Sequence, residues 1–593
     1  MAVELLTQAD GYGIIIGLSV LFCLIILAAV RIQKRYLSED SDQSEMFMVA
    51  NRTLGTGLTA SAVVSSWMWI NESVFSAAYT YKWGIALPVW WASGLSFQIA
   101  LMAVLGIVAK LRVPYAHTSL EFMRMRYGNY AHWLFILLNL INNIFGCGAM
   151  ILAGAQLVTG MTGMHVIAAC ILIPAGVVIY TAVGGLKATF LTDFVHTTVA
   201  LILLIYFSLS FSSSVNSGLV MPYVLRSLLG RGATAGLLVL IFMAITSTVS
   251  SSMIAVSSII SLDFFRTYID PHASDRKTLK VSHLGVVFHG CFMAGFAIML
   301  EYAGATNNWS TYFRPVIACP GIFPTIFTLL WSRQTKLAAI LAPILGLSSG
   351  LATWLALSWY WSGGVLGIQT TQAQIPGLYG AIVSFFSPAI YSIAISLAWP
   401  SRFDRREFLR IDLIEDKSQQ NSSLTSALPS KEAIGAKSGN KSTNEADYKN
   451  LTRGDEAAPT HTALPTKPHS QVPLDDVVHP FDEETIKHIN KWFKIASVFF
   501  VVNVLITIIL WPMPLYRDWI FSQSFFGGWV VVAVIWHFLA MFAVVVYPIY
   551  DGRLEISRAA RGVVRSGGVE GRHDGCCVWS RQISPMLWNG TCN

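Results

Sequence analysis

The residues best suited to chemistry lie inside two apolar stretches of the chain. The stretch from Gly57 to Trp83 carries polar side chains among its tryptophans, including Ser61, Ser65, Ser66, Asn71, Glu72 and Ser73. The stretch from Ala244 to Ser261 carries serine and threonine hydroxyls instead. Polar groups at membrane depth are costly unless they face protein or water. Two such stretches in one polytopic chain therefore predict a transporter whose ion and solute lie between them.

The composition supports placement in a membrane. Of the 593 residues, 54% are hydrophobic and 12% are charged, about half of the roughly 25% charged residues of soluble domains. The net charge of +7 requires no nucleic-acid partner, because the basic residues fall in short loops, as membrane topology demands. The eight cysteines lack the paired spacing of a zinc site or a disulfide framework. The sequence therefore predicts an integral membrane protein.

Apolar runs of about 20 residues, long enough to cross a bilayer, predict the topology. Thirteen runs qualify, at residues 11–30, 57–81, 85–109, 131–160, 163–183, 189–214, 232–260, 281–300, 314–332, 337–360, 377–399, 491–512 and 526–549. We expect an extra N-terminal helix within 1–35, a core over 50–335, accessory helices over 336–400, and two C-terminal helices over 486–550. A cytoplasmic disordered loop is expected over 401–485, because its composition cannot bury a core, and a cytoplasmic tail over 551–593.

Basic residues orient these helices. With the N-terminus outside and the C-terminus in the cytoplasm, most loop arginines and lysines lie inside, as the positive-inside rule requires. The predicted outer loops hold only Lys82, Arg226, Arg231, Arg314 and Arg517. Among the Asn-x-Ser/Thr sequons, only Asn308 falls in a predicted outer loop and is a candidate for glycosylation.

Several motifs resemble those of the sodium:solute symporter family, and more closely the urea active transporters of fungi and plants. They are VPYAHTSLEFMRMRYG (113–128), the segment 162–197 with Gly184-Gly185-x-Lys187-Ala188-x(3)-Thr192-Asp193, SSWMW (65–69) and AITSTVSSSMIAVSS (244–258). The resemblance implies an all-α polytopic membrane protein. Its core would be of the LeuT type, with two inverted five-helix repeats and extra flanking helices.

The resemblance also implies a sodium site that joins a break in the first core helix to the eighth core helix. Its ligands would be the carbonyl oxygens of Ser65, Met68 and Ala244 and the hydroxyls of Ser247 and Thr248. Residues 244, 247 and 248 are spaced i, i+3 and i+4 and so share one helical face. The alternative is that these hydroxyls bond their own helix or join neighbouring helices, which is the commoner role of serine and threonine in membranes.

A pocket for urea needs flat aromatic walls and a few polar groups, because urea is small, planar and uncharged. The candidate solute-binding residues are Trp67, Trp69, Asn71, Glu72, Trp90 and Gln98. Each tryptophan has the alternative of core packing or an interfacial belt. Glu72 has two open roles: it carries a coupling proton, or it stands at the outer mouth.

Two further acidic residues lie near predicted cytoplasmic helix ends and have counterparts in the family pattern. We expect Asp193 to pair with Lys187, and Asp263 with Arg266, as structural or gating ion pairs. We expect no catalytic residue, no cofactor and no metal beyond an alkali ion at the site described above.

The chain departs from the family pattern after its fifth core helix. That helix is expected to end near Ser214, and the segment near 214–220 leads directly into the match to the eighth. Helices six and seven are therefore expected to be missing, which leaves the second repeat incomplete and removes part of the usual solute pocket.

The leading prediction is a plasma-membrane symporter that imports urea, with polyamines as a further candidate solute, coupled to a proton or sodium gradient. Its partners would be the small-molecule solute and membrane lipid, with no nucleic acid. The alternative is a non-transporting sensor or degenerate relic, which would bind urea without flux. A membrane-embedded enzyme is disfavoured, because no histidine with a partnering carboxylate or amide forms a catalytic constellation.

Overall fold

The structure is a computed structural model that describes residues 5–37, 43–77, 80, 84–211, 221–411, 479–516 and 520–567. These residues form helices and connecting turns, with no strand among them. In chain order the helices are α1 (Gln8–Tyr36), α2 (Ser44–Val49), α3 (Thr56–Trp67), α4 (Ala86–Arg112), α5 (Ser119–Tyr127), α6 (Asn129–Thr162), α7 (Val166–Phe211), α8 (Met221–Ser258), α9 (Asp275–Tyr302), α10 (Asn307–Ala318), α11 (Ile322–Leu330), α12 (Lys336–Trp361), α13 (Ile368–Thr371), α14 (Gln374–Ala398), α15 (Glu483–Val504), α16 (Gln523–Met541), α17 (Tyr547–Asp551) and α18 (Arg553–Gly567). The all-α prediction is confirmed.

Shorter elements extend or join these helices. Short 3₁₀-helices lie at Ala50–Arg52, Cys319–Gly321, Arg405–Arg410 and Met513–Tyr516. Wider π turns lie at Asn71–Phe75, Ile259–Ile269, Leu505–Leu510 and Phe542–Val546. Within the described ranges, eleven segments are long and apolar enough to span a membrane. The loop after residue 411, the junction at 212–220 and the tail after 567 lie outside the described residues.

The eleven spans differ from the thirteen expected ones in two places. The run expected at 57–81 contains only a 12-residue α-helix, α3, before a break, so it is not a continuous span. The runs expected at 163–183 and 189–214 form one element, α7, of 46 residues. At about 1.5 Å per residue such an element would be about 69 Å long if straight, more than twice the hydrocarbon thickness of about 30 Å.

Gly185 lets α7 reverse its direction. Its φ of 65° and ψ of −165° are not helical, and glycine is the residue that adopts such values readily. A side chain there would lie 2.9 Å from the backbone oxygen of Phe47. Neighbouring residues of α1 contact both halves of α7: Cys23 donates to the carbonyl of Gly176, and the Phe22 ring packs on His196. The two halves therefore lie antiparallel, as the two expected runs require.

Helix α3 ends inside the molecule instead of crossing it. Met68 has φ −81° and ψ 76°, and its N–H bonds the carbonyls of Val64 and Ser65. After this break the chain resumes in the π turn Asn71–Phe75. Broken helices expose backbone polar groups, and such backbone is tolerated at membrane depth only where protein or a water-filled cavity surrounds it.

Helix α8 lies in the centre of the bundle. Ile241, Ile245, Val249 and Met253 are fully buried along it. Neighbouring helices approach through glycines, since a side chain at Gly154 of α6 would overlap Ile245. Small residues allow this close approach between membrane helices. The central position of α8 places its hydroxyl face against the break in α3.

The C-terminal helices complete the bundle around α3 and α4. Ser93 of α4 donates to the carbonyl of Thr507, which follows α15. At the start of α3, the N–H of Gly57 donates to the carboxylate of Asp551, at 2.9 Å. A carboxylate at a helix N-terminus satisfies an otherwise unpaired N–H and favours the helix dipole. The end of α17 thus fixes the start of the broken helix.

Candidate functional site

The break in α3 contacts the hydroxyl face of α8. Ser65 and Ser247 place their Oγ atoms 2.7 Å apart, and Ser66 and Ser251 place theirs 3.0 Å apart. Thr248 donates its hydroxyl to the Ser66 carbonyl at 3.2 Å. Several oxygens are therefore concentrated where an unwound backbone meets a buried helix.

The five residues expected at the ion site lie close to this contact. Ser65, Ser247 and Thr248 take part in it directly and are all buried. The carbonyl of Ala244 accepts from the Thr248 hydroxyl at 3.3 Å, and Met68 occupies the break itself. The alternative role of these hydroxyls, bonding within their own helix, is also seen at the bond from Thr248 to Ala244. Cation binding at this contact stays a prediction.

Asp193 does not form the ion pair expected with Lys187. Its carboxylate is fully buried and accepts a hydrogen bond of 2.6 Å from Ser247. Its second oxygen has no hydrogen-bond partner among the described residues. Lys187 instead lies 3.8 Å from the carboxylate of Glu555. The physical reason is helical spacing: residues six apart lie about 120° apart around a helix, so the two side chains point in different directions.

Asp263 likewise has partners other than the expected Arg266. Thr118 donates to its carboxylate at 2.8 Å, and His132 lies 3.2 Å from it. The segment Ile259–Ile269 is a π turn, which is wider than an α-helix and alters which side chains share a face. The Asp263 contacts join this segment to the loop before α5 and to the start of α6.

A cavity of about 240 Å³ adjoins the contact between α3 and α8. Residues of α3 and α8, of α6, and of α10 line it: Ser66, Trp69, Asn142, Asn143, Gly146, Cys147, Thr248, Ser251, Ser252, Ala255 and Arg314. Its wall is mostly small or polar, with one large aromatic ring and one guanidinium. A space of this kind, between a broken helix and its neighbours, is suited to a small polar solute.

Among the predicted solute-binding residues whose side chains the structure describes, Trp69 alone lines this cavity. Its indole N–H donates to the carbonyl of Ser66 at 2.9 Å, which fixes the ring near the break. The guanidinium carbon of Arg314 lies 4.2 Å from its ring centroid, within cation–π distance. The ring therefore lies between the unwound backbone and a half-buried positive charge.

The other predicted solute-binding residues lie elsewhere. Glu72 accepts from the indole N–H of Trp91 at 2.8 Å, and Trp67 is half-buried at the end of α3. Trp90 is 40% exposed and packs on Tyr516, and Gln98 is exposed. None of these four lines the cavity, and Trp90 faces the C-terminal helices instead. The side chains of Asn71 and of the glycosylation candidate Asn308 lie outside the described residues.

The sequence analysis missed the polar residues that α6 and α10 contribute to the cavity. Arg314 was expected in an outer loop, whereas it lies within α10, which begins at Asn307. Thr306 caps this helix by accepting from the N–H of Trp309, so the cap could have indicated a start before residue 314. Asn142 and Asn143 lie in an otherwise mostly apolar run. Two adjacent amides at membrane depth were the available signal that this part of α6 faces a polar site.

A second polar cluster lies at the predicted cytoplasmic end. His117 is buried between two carboxylates, 2.6 Å from Glu45 and 3.4 Å from Glu121. Burial alone would lower the pKa of His117, but its hydrogen bonds to Glu121 and Glu45 outweigh that effect and raise the pKa from 6.5 to about 9. The imidazole is therefore charged at neutral pH, and it links α2 to α5.

The fold and the site define a multi-pass membrane transporter built around a broken helix. A sequence model of the sodium:solute symporter family matches residues 47–218 and 209–346, about half of the chain. The chain belongs to the sodium:solute symporter family, and the resemblance inferred from its motifs is confirmed.

Similar proteins are known from fungi and plants. The chain is 29% identical to "Probable urea active transporter 1" of Schizosaccharomyces pombe, covering 95% of this chain and 93% of the relative. It is 28% identical to "Urea active transporter" of Saccharomyces cerevisiae, covering 94% and 93%. It is 26% identical to "Urea-proton symporter DUR3" of Oryza sativa, covering 96% and 88%.

A solved structure shares the fold. The chain matches a Na+-coupled sialic acid symporter, in its substrate-bound outward-open state, with a TM-score of 0.51 and 13% identity. The match covers 66% of this chain and 99% of that one. The prediction of a LeuT-type architecture with additional helices is thereby confirmed at the level of the fold.

The alignments also bear on the expected loss of two helices. The two stretches matched by the family model meet at residues 209–218, where the junction was expected. The alignment with the S. pombe relative has 680 positions. It includes 95% of this chain of 593 residues, which is about 560 residues. Roughly 120 aligned positions of that relative therefore have no counterpart here.

Proposed function

We propose that this protein is a symporter that imports urea across the plasma membrane, with its N-terminus outside and its C-terminus in the cytoplasm. One observation carries the proposal: the oxygen-lined contact between the α3 break and α8 lies directly beside a small polar cavity. An ion and a solute bound in adjacent positions can stabilise the same conformation, which is the basis of coupling. The printed names of the relatives make urea the solute to test.

The coupling ion is sodium or a proton, and the geometry is compatible with both. A sodium ion would be held by carbonyl and hydroxyl oxygens at the contact, a hard ligand set without thiolate or imidazole. The buried carboxylate of Asp193 lies one hydrogen bond from Ser247. It can balance the charge of a sodium ion or accept a proton itself. The family's name favours sodium, and the name of the rice relative favours the proton.

Urea uptake in a host cell that lacks its own urea permease tests the proposal. The full-length chain should confer uptake of ¹⁴C-urea that is saturable and that collapses when the coupling gradient is dissipated. Varying external pH and external sodium independently identifies the ion. A surface-expressed protein that gives no uptake above the empty host would refute urea import. Retained urea binding in that case would support the non-transporting sensor.

A further inference from the structure

Arg314 is a positively charged side chain with no hydrogen-bond acceptor among the residues that the structure describes. It lies in α10, is partly exposed, and lines the cavity. Its guanidinium stacks over Trp69 but donates no hydrogen bond to any residue in the described ranges. A guanidinium has five N–H donors in a rigid planar fork. Unpaired donors are costly at membrane depth, so this arrangement indicates that the cavity's occupant supplies an acceptor.

Asn142 offers the complementary groups on the opposite helix, α6. Its carboxamide lines the cavity and likewise makes no hydrogen bond within the described part of the chain. The neighbouring Asn143 is already engaged, since it donates to the Asn139 carbonyl and accepts from Ser252. Asn142 can therefore both accept an N–H from a solute and donate one to it.

Gly146 makes room for the guanidinium. A Cβ at this position would lie 3.2 Å from the Arg314 guanidinium carbon and from one of its terminal nitrogens. Such a contact is tight, so the guanidinium would have to shift by a few tenths of an ångström. Gly146 therefore lets Arg314 approach α6 near Asn142, with the Trp69 ring as a flat wall.

The charges around the cavity favour an uncharged occupant. Glu72 acts electrostatically on Arg314, so a carboxylate outside the cavity lining offsets part of the guanidinium charge. A cationic solute would meet a positive charge without a compensating anion at the cavity wall. The side chains that line the cavity therefore suit a flat molecule with a carbonyl acceptor on one edge and N–H donors on another.

We propose that Arg314 and Asn142 recognise the solute: the guanidinium donates to the carbonyl oxygen of a planar uncharged amide, and the Asn142 oxygen accepts its N–H. Trp69 packs against the face of the solute. This inference rests on the proposed function, since it assigns the solute to this cavity. It also predicts that cations of similar shape, such as guanidinium, and polyamines are excluded by charge.

Solute selectivity in the full-length protein is the decisive readout. We compare wild type with Arg314→Gln, Arg314→Lys and Asn142→Leu in permease-deficient cells, using ¹⁴C-urea with formamide, guanidinium or putrescine as competitors. Arg314→Gln should raise the KM for urea at least ten-fold and allow guanidinium to compete. Arg314→Lys should weaken binding but keep cations excluded, because the charge remains while the fork is lost. Asn142→Leu should raise KM without admitting cations.

Arg333→Gln is the matched control, because it removes the same charge from an exposed loop position. It should leave KM and selectivity unchanged. If Arg314→Gln does not reach the surface, Arg314→Lys takes its place as the main test, and Gly146→Ala, which crowds the guanidinium while keeping its charge, is measured beside it. Normal surface expression with unchanged KM and unchanged competitor profile in these variants would overturn the inference.

The failure of this inference can be separated from the failure of the proposed function. If wild type imports urea but the Arg314 variants behave like wild type, only the recognition assignment fails. If wild type gives no uptake, equilibrium binding of ¹⁴C-urea to the purified full-length protein takes its place. Binding that Arg314→Gln abolishes would support the inference without transport, and no binding by wild type would overturn both.

Discussion

Replacing Thr248 with valine tests the contact between α8 and the α3 break. Valine keeps the shape of the side chain but removes the hydroxyl that bonds the Ser66 carbonyl. Loss of one net hydrogen bond lowers the free energy of unfolding by about 1 kcal/mol. If the hydroxyl also binds the coupling ion, the ion loses an interaction of the charged type, about 1.5–3 kcal/mol. At about 1.4 kcal/mol per factor of ten, the ion concentration for half-maximal uptake should rise roughly ten- to hundred-fold.

The same helix provides a matched control, Thr246→Val. The Thr246 hydroxyl is equally buried but bonds only its own helix, at the carbonyls of Phe242 and Met243. Both variants should lose similar stability, measured by thermal unfolding in detergent, and both should reach the cell surface. Only Thr248→Val should shift the ion dependence of ¹⁴C-urea uptake. Equal ion dependence in the two variants would refute the assignment of Thr248 to the ion site.

Two further predictions concern stability. Since the pKa of His117 is raised in the folded state to about 9, its stabilisation is complete below its unfolded pKa, near 6.5, and is lost as the pH rises through 9. Thermal unfolding between pH 6 and 10 should show a decline worth up to about 3 kcal/mol that His117→Gln abolishes; an identical decline in the variant would contradict this. Gly154→Ala should destabilise the protein by about 1–3 kcal/mol, because its new methyl group overlaps Ile245. Adding Ile245→Val, which removes the overlapping atom, should recover part of the loss, and an additive double variant would disprove the overlap.

The meeting of α3 with α8 was predictable because two independent signals agreed. Ser247 and Thr248 lie three and four residues after Ala244 and so share a helical face with it, and the polar residues around Ser65 interrupt an apolar run. Both patterns can be read from neighbouring residues, and polar side chains at membrane depth usually face protein or a water-filled cavity. The motifs then placed the two segments in one family, which fixed their relative position in the fold.

The residues that the sequence misplaced depend on long-range packing. Arg314 follows a polar stretch, so hydropathy alone places it in a loop, whereas the Thr306 cap starts the helix seven residues earlier. Asp193 lies near a glycine turn, which indicates a helix end. Its contact with Ser247 depends on the reversal at Gly185, since this turn lays the second half of α7 alongside α3. Charge and hydropathy patterns report depth in the membrane, not the direction in which a side chain points.

The count of spans shows the same limit. The patterns located each apolar run, but they treated 57–81 as one continuous span. The break at Met68 is set by backbone geometry, and no glycine or proline marks it in the sequence. Two signals pointed to the break: the polar side chains around Ser65, and the family resemblance, which implies a break in the first core helix.

Uptake by purified protein in liposomes tests the central claim most directly. The full-length chain is reconstituted with an imposed inward gradient of protons or of sodium, and internal ¹⁴C-urea is followed over time. Our account predicts that one of the two gradients drives internal urea above the external concentration and that Thr248→Val weakens this accumulation. Urea that only equilibrates across the membrane under both gradients, or that does not enter, would contradict ion-coupled transport.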